Sequence, residues 1–295
     1  MTLTEMRSLL VKHDIQLTKS LGQNFLHDGN QLRRIVEAAK LQPTDKVLEV
    51  GPGLGPLTEL LLDQAGEVLA IELDARLVEV LCQRFGTEER NPELLAGALA
   101  NQDTSPKERA AFHLLHDDAL AHLKREPRDW SEWKLVANLP YSVASPILVE
   151  LSAGVRAPKM IVATLQYEVA KRLIAQADDD DYGILTLLVQ IDFQPQSIFK
   201  IPPECFFPSP DVDSACVVLV RRPQPLLPQD QRASYVKIVK RAFSQRRKMM
   251  LKLLKQDWAL DKLTAAFTEL KISPMERAEK LSLVQFVQLT KFLTD

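Results

Sequence analysis

The sequence predicts an α/β architecture: a mainly parallel central sheet flanked by helices, followed by a small all-helical C-terminal domain. Three observations predict it. Short apolar runs of β type alternate with segments of helical periodicity between about residues 30 and 220, and such alternation implies crossover connections and parallel strands. Gly51, Gly53 and Gly55 follow the first strong run and precede a helical pattern, the arrangement by which parallel sheets hold ligands at strand carboxyl ends. A proline-rich stretch over residues 222–228 ends the alternation, and beyond it apolar residues recur at three- and four-residue spacing.

Taken in order, residues 46–50, 67–73, 112–115, 134–137 and 160–165 read as buried strands, with helices over 56–64, 75–85 and 167–175. Residues 193–200 and 215–221 read as late strands with no full helix between them, an antiparallel pair at a sheet edge. Residues 86–111 are polar and hold Asn91-Pro92 and Ser105-Pro106, which reads as a surface insertion with one short helix around 92–100. Helices are expected at 229–243, 246–255, 261–270 and 283–293. The expected division is a first domain over residues 1–222, carrying the insertion at 86–111, and a second over 223–295.

Composition narrows the function classes. The chain has 295 residues, 46% hydrophobic and 26% charged, enough apolar content to bury a sizeable core without covalent staples. Cys82, Cys205 and Cys216 are far apart and form no paired motif, and the histidines lack metal-binding spacing, so neither a disulfide framework nor a metal is expected. No stretch resembles a signal peptide or a run of about 18 apolar residues, so a cytoplasmic, non-membrane protein is expected. The net charge of −2 announces no nucleic-acid partner. Its distribution does. Residues 231–256 hold Arg232, Lys237, Lys240, Arg241, Arg246, Arg247, Lys248, Lys252 and Lys255 and no acidic residue. The acidic run at 178–181 reads as solvated surface.

The glycine loop is not a phosphate cradle. Pro56 stands where a dinucleotide fingerprint needs glycine, and no Walker lysine follows. Glu72 ends the next strand, where a carboxylate can accept both ribose hydroxyls of an adenosyl group. After the third strand, Asp117 or Asp118 can accept from an adenine amino group; the pattern alone does not choose between them. Asn138-Leu139-Pro140-Tyr141 follows the fourth strand and is the most informative motif. An exocyclic amine is a poor nucleophile, because its lone pair is delocalised into the ring. An Asn oxygen and a backbone carbonyl can accept its two hydrogens, Pro140 stiffens the turn, and Tyr141 offers an aromatic face for an extruded base. Phe206 and Phe207 supply a second aromatic element, one of them suited to the base's other face and one to core packing.

These motifs together resemble the KsgA family of ribosomal RNA adenine dimethyltransferases. The resemblance covers nearly the whole chain, at residues 21–26, 49–55, 71–74, 118–119, 138–141, 166–169, 182–183, 206–215, 242–248, 277–279 and 281–282. It implies a Rossmann-like methyltransferase fold and S-adenosyl-L-methionine as cofactor. Its substrate would be two adjacent adenines in a hairpin near the 3′ end of small-subunit (16S) rRNA, dimethylated at N6 within a pre-ribosomal particle during ribosome biogenesis. It carries cofactor contact onto Asn24, Leu26, Gly51, Glu72, Asp118 and Asn138, and so selects Asp118 over Asp117. Base handling falls to Asn138, Leu139, Pro140, Tyr141 and Phe206, while the basic window, by its charge, puts RNA binding on Arg241, Arg246, Arg247 and Lys248. A monomer is expected. Two features depart from the family: the length of the 86–111 insertion, and Phe207 where a small residue is usual. Three other readings compete. An Erm-type methyltransferase of large-subunit rRNA would share the core, and a non-catalytic assembly factor would share the scaffold. The basic C-terminal helices disfavour a small-molecule methyltransferase.

Overall fold

Strand polarity organises the first part of the chain. The structure, a computed structural model, describes residues 1–17, 23–90, 110–126, 128–154, 156–245 and 247–294. In chain order its strands are β1 (Phe25–Leu26), β2 (Lys46–Val50), β3 (Glu67–Glu72), β4 (Glu89–Arg90), β5 (Ala111–His116), β6 (Trp133–Asn138), β7 (Met160–Gln166), β8 (Phe193–Ile201), β9 (Phe206–Phe207) and β10 (Ser214–Arg221). Among the described residues, eight of them form one sheet in the order β4-β5-β3-β2-β6-β7-β10-β8. The pairs from β4 to β7 are all parallel, and β10 joins β7 antiparallel, from Ser214 opposite Gln166 to Val220 opposite Met160. The mainly parallel sheet expected from the alternation is therefore present, and the two late strands are neighbours at its edge. The helix expected at 92–100, with most of the insertion, lies outside the described residues.

The helices of this part are α1 (Leu3–Lys12), α2 (Gly29–Ala39), α3 (Pro56–Leu62), α4 (Ala75–Phe85), α5 (Ala119–Arg125), α6 (Ala144–Leu151) and α7 (Tyr167–Ile174). Several have local reasons to start where they do. Thr2 and Glu5 form a reciprocal capping box for α1, and Asp28, Asp74 and Asp118 accept backbone N–H groups at the starts of α2, α4 and α5. Leu32, Ile35, Val36 and Ala39 put the apolar stripe of α2 into the same core as Val47, Val68, Val136 and Val162.

A buried ion pair secures the far end of α2. Lys134 Nζ donates to Asp45 Oδ2 at 2.7 Å and to the carbonyls of Ala39 at 3.0 Å and Lys40 at 2.8 Å. All three ammonium protons are thus used, two of them on orphan carbonyls at the helix C-terminus. Lys159 Nζ approaches the other oxygen of Asp45, at 2.8 Å.

The chain divides into two compact units. One comprises Met1–Leu151, Arg156–Ala170 and Gln196–Val220; the other comprises Ser152–Val155, Lys171–Pro195 and Arg221–Asp295. The second therefore includes chain well ahead of the linker at 222, where the sequence suggested a single linear cut. The reason is packing. Tyr182, Leu187 and Ile191 are buried in one cluster with Tyr235, Ile238, Phe267 and Phe286, and Tyr182 Oη donates to Leu281 O at 2.8 Å. Helices α8 (Ile184–Gln190), α9 (Arg232–Ala242), α10 (Met250–Leu254), α11 (Leu260–Glu269) and α12 (Leu283–Thr294) make up this unit. The helix expected from 246 starts later, at Met250, and Arg247 and Lys248 lie in the turn before it. The acidic run is structural in part: Asp178 pairs with Lys280, Asp181 with Lys171, and Asp179 accepts from Gln176 N.

Asp45→Ala leaves a buried ammonium without its counterion, and a loss of about 3–5 kcal/mol is expected in urea denaturation. Burial raises the Asp45 carboxyl, but hydrogen bonds from Lys134 and Lys159 outweigh it and hold the group below its ordinary value. Its contribution is therefore complete above the ordinary carboxylate range and fades as pH falls through the depressed folded value. The variant should show a shallower acid limb than the wild type; equal limbs would remove Asp45 from this role.

Candidate active site

Parallel strands that share a register end at one edge, and β2, β3, β5 and β6 bring their carboxyl ends together there. A cavity at that edge is lined by Gln23, Asn24 and Phe25, by Gly51 and Gly53 after β2, and by Glu72, Leu73 and Leu77. Asp117 to Leu120, Asn138 to Val143 and Ile147 complete the lining. The glycine loop is built for close approach. Gly51 has φ +69° and Gly53 φ +62°, a region that side chains rarely adopt. A Cβ on Gly51 would stand 3.1 Å from the Pro140 ring, and one on Gly53 would stand 2.6 Å from the Phe25 ring.

Glu72 ties this loop to the end of β3. Its Oε2 accepts from Gly53 N at 3.0 Å, and its Oε1 accepts from Leu73 N at 2.9 Å and Asp74 N at 3.0 Å. Burial raises the carboxyl, and the three backbone N–H groups offset part of that. A carboxylate has about four acceptor positions and three are taken here, so about one remains for a ligand hydroxyl. Beneath the loop, Glu49 is 1% exposed and accepts from Thr58 Oγ1 at 2.7 Å. Burial pushes its carboxyl up to about 8, and the nearby Glu72 pushes the same way.

The two aspartates after β5 are distinguished by their partners. Asp117 Oδ2 takes Arg125 Nη2 at 2.6 Å and faces His122 Nδ1 at 3.1 Å, while its Oδ1 accepts from Asp118 N. Among the described residues Asp118 accepts with Oδ1 alone, from Ala121 N at 2.9 Å, and its second oxygen has no partner, while the residue lines the cavity wall. Asn138 is the most telling residue. Its Nδ2 donates to Asn24 O at 2.9 Å, which orients the amide, and its Oδ1 is buried with no hydrogen-bond partner among the described residues. A buried acceptor without a donor is costly and points to a ligand N–H. Leu139, 1% exposed, is held by Leu139 N donating to Thr164 O at 3.0 Å, so the motif is anchored to β7. Tyr141 lines the cavity, half-buried, with its hydroxyl on Ser214 Oγ; burial raises the phenol above its ordinary value.

With this geometry in hand, the model of the ribosomal RNA adenine dimethylase family matches residues 15–295. The chain belongs to the ribosomal RNA adenine dimethylase family. This dimethylase is 37% identical over 286 residues to a Clostridium perfringens protein named ribosomal RNA small subunit methyltransferase A, covering 96% of this chain and 93% of that one. The Streptococcus pneumoniae protein of the same name is 34% identical over 293 residues, 97% and 95% of the two chains. The crystal structure of the 23S rRNA methyltransferase ErmE is similar with a TM-score of 0.65 at 26% identity, over 92% and 100% of the chains. A dimethyladenosine transferase from Plasmodium falciparum gives a TM-score of 0.70 at 22% identity, over 90% and 95%. The Rossmann-like methyltransferase fold expected from the sequence is thereby established.

Not every expected site residue of the dimethylase reaches the cavity. Asn24, Gly51, Glu72, Asp118, Asn138, Leu139, Pro140 and Tyr141 line it. Leu26 and Phe206 do not: they face each other across β1 and β9, 2% and 3% exposed, inside the core cluster of α2 and β2. Phe206 is thus a core residue, a correction to its expected place beside the base. Phe207 packs against the cluster of Met6, Leu10 and Phe25, with Arg7 over its ring at 5.0 Å. The apolar wall of Leu73, Leu77, Leu120, Val143 and Ile147 was not anticipated, because single apolar residues at helix starts carry no local signal. In the helical unit, Arg241 is engaged by Asp257 and by Gln256 Oε1, and Lys237 also reaches Asp257, at 3.1 Å. Arg247 and Lys248 are exposed; Arg246 lies outside the described residues. Among the described residues, no group of His, Cys, Asp or Glu is arranged to hold a metal ion.

Glu49 gives this site a measurable signature. With a folded value of about 8 against an ordinary 4.5, the folded chain keeps a proton that the unfolded chain releases between those values. Stability should therefore fall as pH rises through that window. Glu49→Gln should make this decline shallower in denaturation curves, leaving the part that the raised Glu72 carboxyl contributes; parallel profiles for the two proteins would mean that Glu49 is ionised in the fold.

Proposed function

We propose that this dimethylase transfers methyl groups from S-adenosyl-L-methionine to the N6 positions of two adjacent adenines in a hairpin near the 3′ end of small-subunit rRNA. The particle it modifies is a small-subunit precursor in the cytoplasm. The observation that carries the reading is the buried Oδ1 of Asn138, without a partner among the described residues, in a cavity that Tyr141 also lines.

The residues present fit an adenosyl cofactor. Left-handed glycines bring the loop backbone to the cavity wall, Glu72 keeps about one of its four acceptor positions for a ribose hydroxyl, and Asp118 holds an oxygen without a partner among the described residues for an adenine amine. Bound S-adenosyl-L-methionine supplies an electrophilic methyl group on a sulfonium. The chain's own residues do the rest. Asn138 Oδ1 accepts one hydrogen of the target amine, turning its nitrogen lone pair out of conjugation with the ring. Tyr141 stacks on the extruded base, and Pro140, pressed against Gly51, stiffens the turn that presents both. Each transfer replaces one N–H with N–CH₃ and releases one proton. Positioning supplies most of the acceleration.

The small-subunit assignment is supported by the named relatives, which match at 34–37% identity over nearly the full chain. The 23S enzyme ErmE, at 26% identity, supports the large-subunit alternative less. The deciding experiment is incubation with undermethylated small-subunit and large-subunit particles, each with labelled cofactor, followed by mapping. Modified nucleotides in a large-subunit RNA alone would reverse the assignment.

Asn138→Ala should slow single-turnover transfer by about 100-fold or more, the scale for loss of one preorganised hydrogen-bonding group, with the fold intact. A near-wild-type rate would sink the proposed role.

RNA docking is assigned to the basic face of the helical unit, where Lys240, Arg247, Lys248, Lys252 and Lys255 are exposed. Replacing Arg246, Arg247 and Lys248 with Ala should weaken particle binding and flatten its salt dependence by about 0.7–0.9 per lost phosphate contact. Cofactor affinity should not change. An unaltered salt slope would move the docking surface elsewhere.

A further inference from the structure

Ser214 opens β10, which runs antiparallel to β7 beside a run of parallel strands. An antiparallel strand begins where its parallel neighbours end. Ser214 therefore stands opposite Gln166, the last residue of β7, at the edge where Asn138 ends β6 opposite Thr164. Its side chain is 0% exposed, and its hydroxyl is hydrogen-bonded to the hydroxyl of Tyr141, 73 positions away in the chain. Ser214 itself is not on the cavity wall, whereas Tyr141 is.

The bond has a specific mechanical effect. A hydrogen bond at the far end of the ring fixes where the Tyr141 hydroxyl sits and so holds χ1, and because a phenol O–H and its lone pairs prefer the ring plane it also biases the ring's rotation about χ2. The aromatic face is then set before a base arrives, which lowers the ordering cost of stacking at the reacting position. The strand polarity explains why the segment ahead of β10 matters to a site that its phenylalanines do not line. Residues 206–213 lead the chain from the core to the sheet edge and deliver a hydroxyl there.

We propose that Ser214 is a positioning residue for methyl transfer, holding the Tyr141 ring in the orientation that receives the target adenine. This rests on the reading of Tyr141 as the stacking face of an adenine methyltransferase.

The test uses the full-length enzyme on undermethylated small-subunit particles, with wild type, Ser214→Ala, Tyr141→Phe and the double variant. Cofactor affinity is measured in parallel by calorimetry. Ser214→Ala and Tyr141→Phe should each lower kcat about tenfold, the order of one hydrogen bond's contribution, with cofactor affinity unchanged. The double variant should be no slower than either single, because both changes remove the same bond. Losses that multiply overturn the proposal, as does Tyr141→Phe at the wild-type rate. If Ser214→Ala fails to fold, Tyr141→Phe decides alone: a loss of kcat with unchanged cofactor affinity supports the bond's role, and an unchanged kcat overturns it. A wild type that methylates no adenine overturns the reading of the whole site, and this proposal with it. Multiplying losses in an active enzyme overturn the Ser214–Tyr141 link alone.

Discussion

Everything at the site depends on parallel strand pairing that brings unrelated chain positions to one edge. Val50 opposite Ile71, Glu72 opposite His116 and Asn138 opposite Thr164 are consecutive steps of that register. A slip of one residue along a strand would turn its side chains to the opposite face. The register is specified by burial on both faces: all six residues of β3 and five of six in β6 are buried. Once it is set, the loops that follow each strand have little choice of location. Gly51, Glu72, Asp118 and Asn138 then meet across a chain separation that no local pattern could bridge.

What was legible in the sequence follows the same division. The buried strands were readable because apolar runs bounded by turn residues are a local signal, and α4 was readable because its apolar stripe repeats within eleven residues. Helix α1 was not: its capping box at Thr2 and Glu5 sits on a short segment with only Met6 and Leu10 buried, which pack against Phe25 and Leu54. The site residues were legible as residue types after strands. Their pairings were not, since Asn138 meets Asn24 and Tyr141 meets Ser214 through tertiary contacts 114 and 73 positions apart. Phe206 shows the opposite failure. Its place in a family motif suggested a role at the base, but its side chain points to the partner strand and the core, and its strand position rather than its motif decides. Phe207, unusual in the resemblance, is explained by the neighbour it meets: the apolar face of α1 and the cation of Arg7.

Two buried polar arrangements contrast, one away from the cavity and one on its wall. Lys134, Asp45 and Thr58 are fully partnered, so their burial specifies the fold without leaving anything unsatisfied. Asn138 is half-partnered: its amide nitrogen is fixed and its oxygen is left without a donor. Such an arrangement destabilises the free protein slightly and becomes favourable only when a donor arrives. Fixing one end of the amide matters as much as freeing the other, because an amide able to rotate would turn its oxygen to the nearest backbone N–H.

Charge follows a similar logic of local arrangement over totals. A net charge of −2 looks unsuited to an RNA substrate. Yet the basic window is not a uniform field, because Asp257, just beyond it, takes up both Arg241 and Lys237, and Arg232 pairs with Asp192. These three cations hold the helical unit together, where like charges on α9 would otherwise repel. Among the described residues, the window's cations without such an ion pair are Lys240 near the end of α9 and Arg247, Lys248, Lys252 and Lys255 around α10, all exposed. Intramolecular pairing therefore leaves only part of the basic segment with uncompensated charge. Phosphate attraction depends on the charges within a Debye length of the contact, about 8 Å at physiological salt, and not on the sum over the chain. An overall acidic protein can thus carry a local surface that attracts RNA while the rest of its surface repels it, which favours one docking orientation over the others.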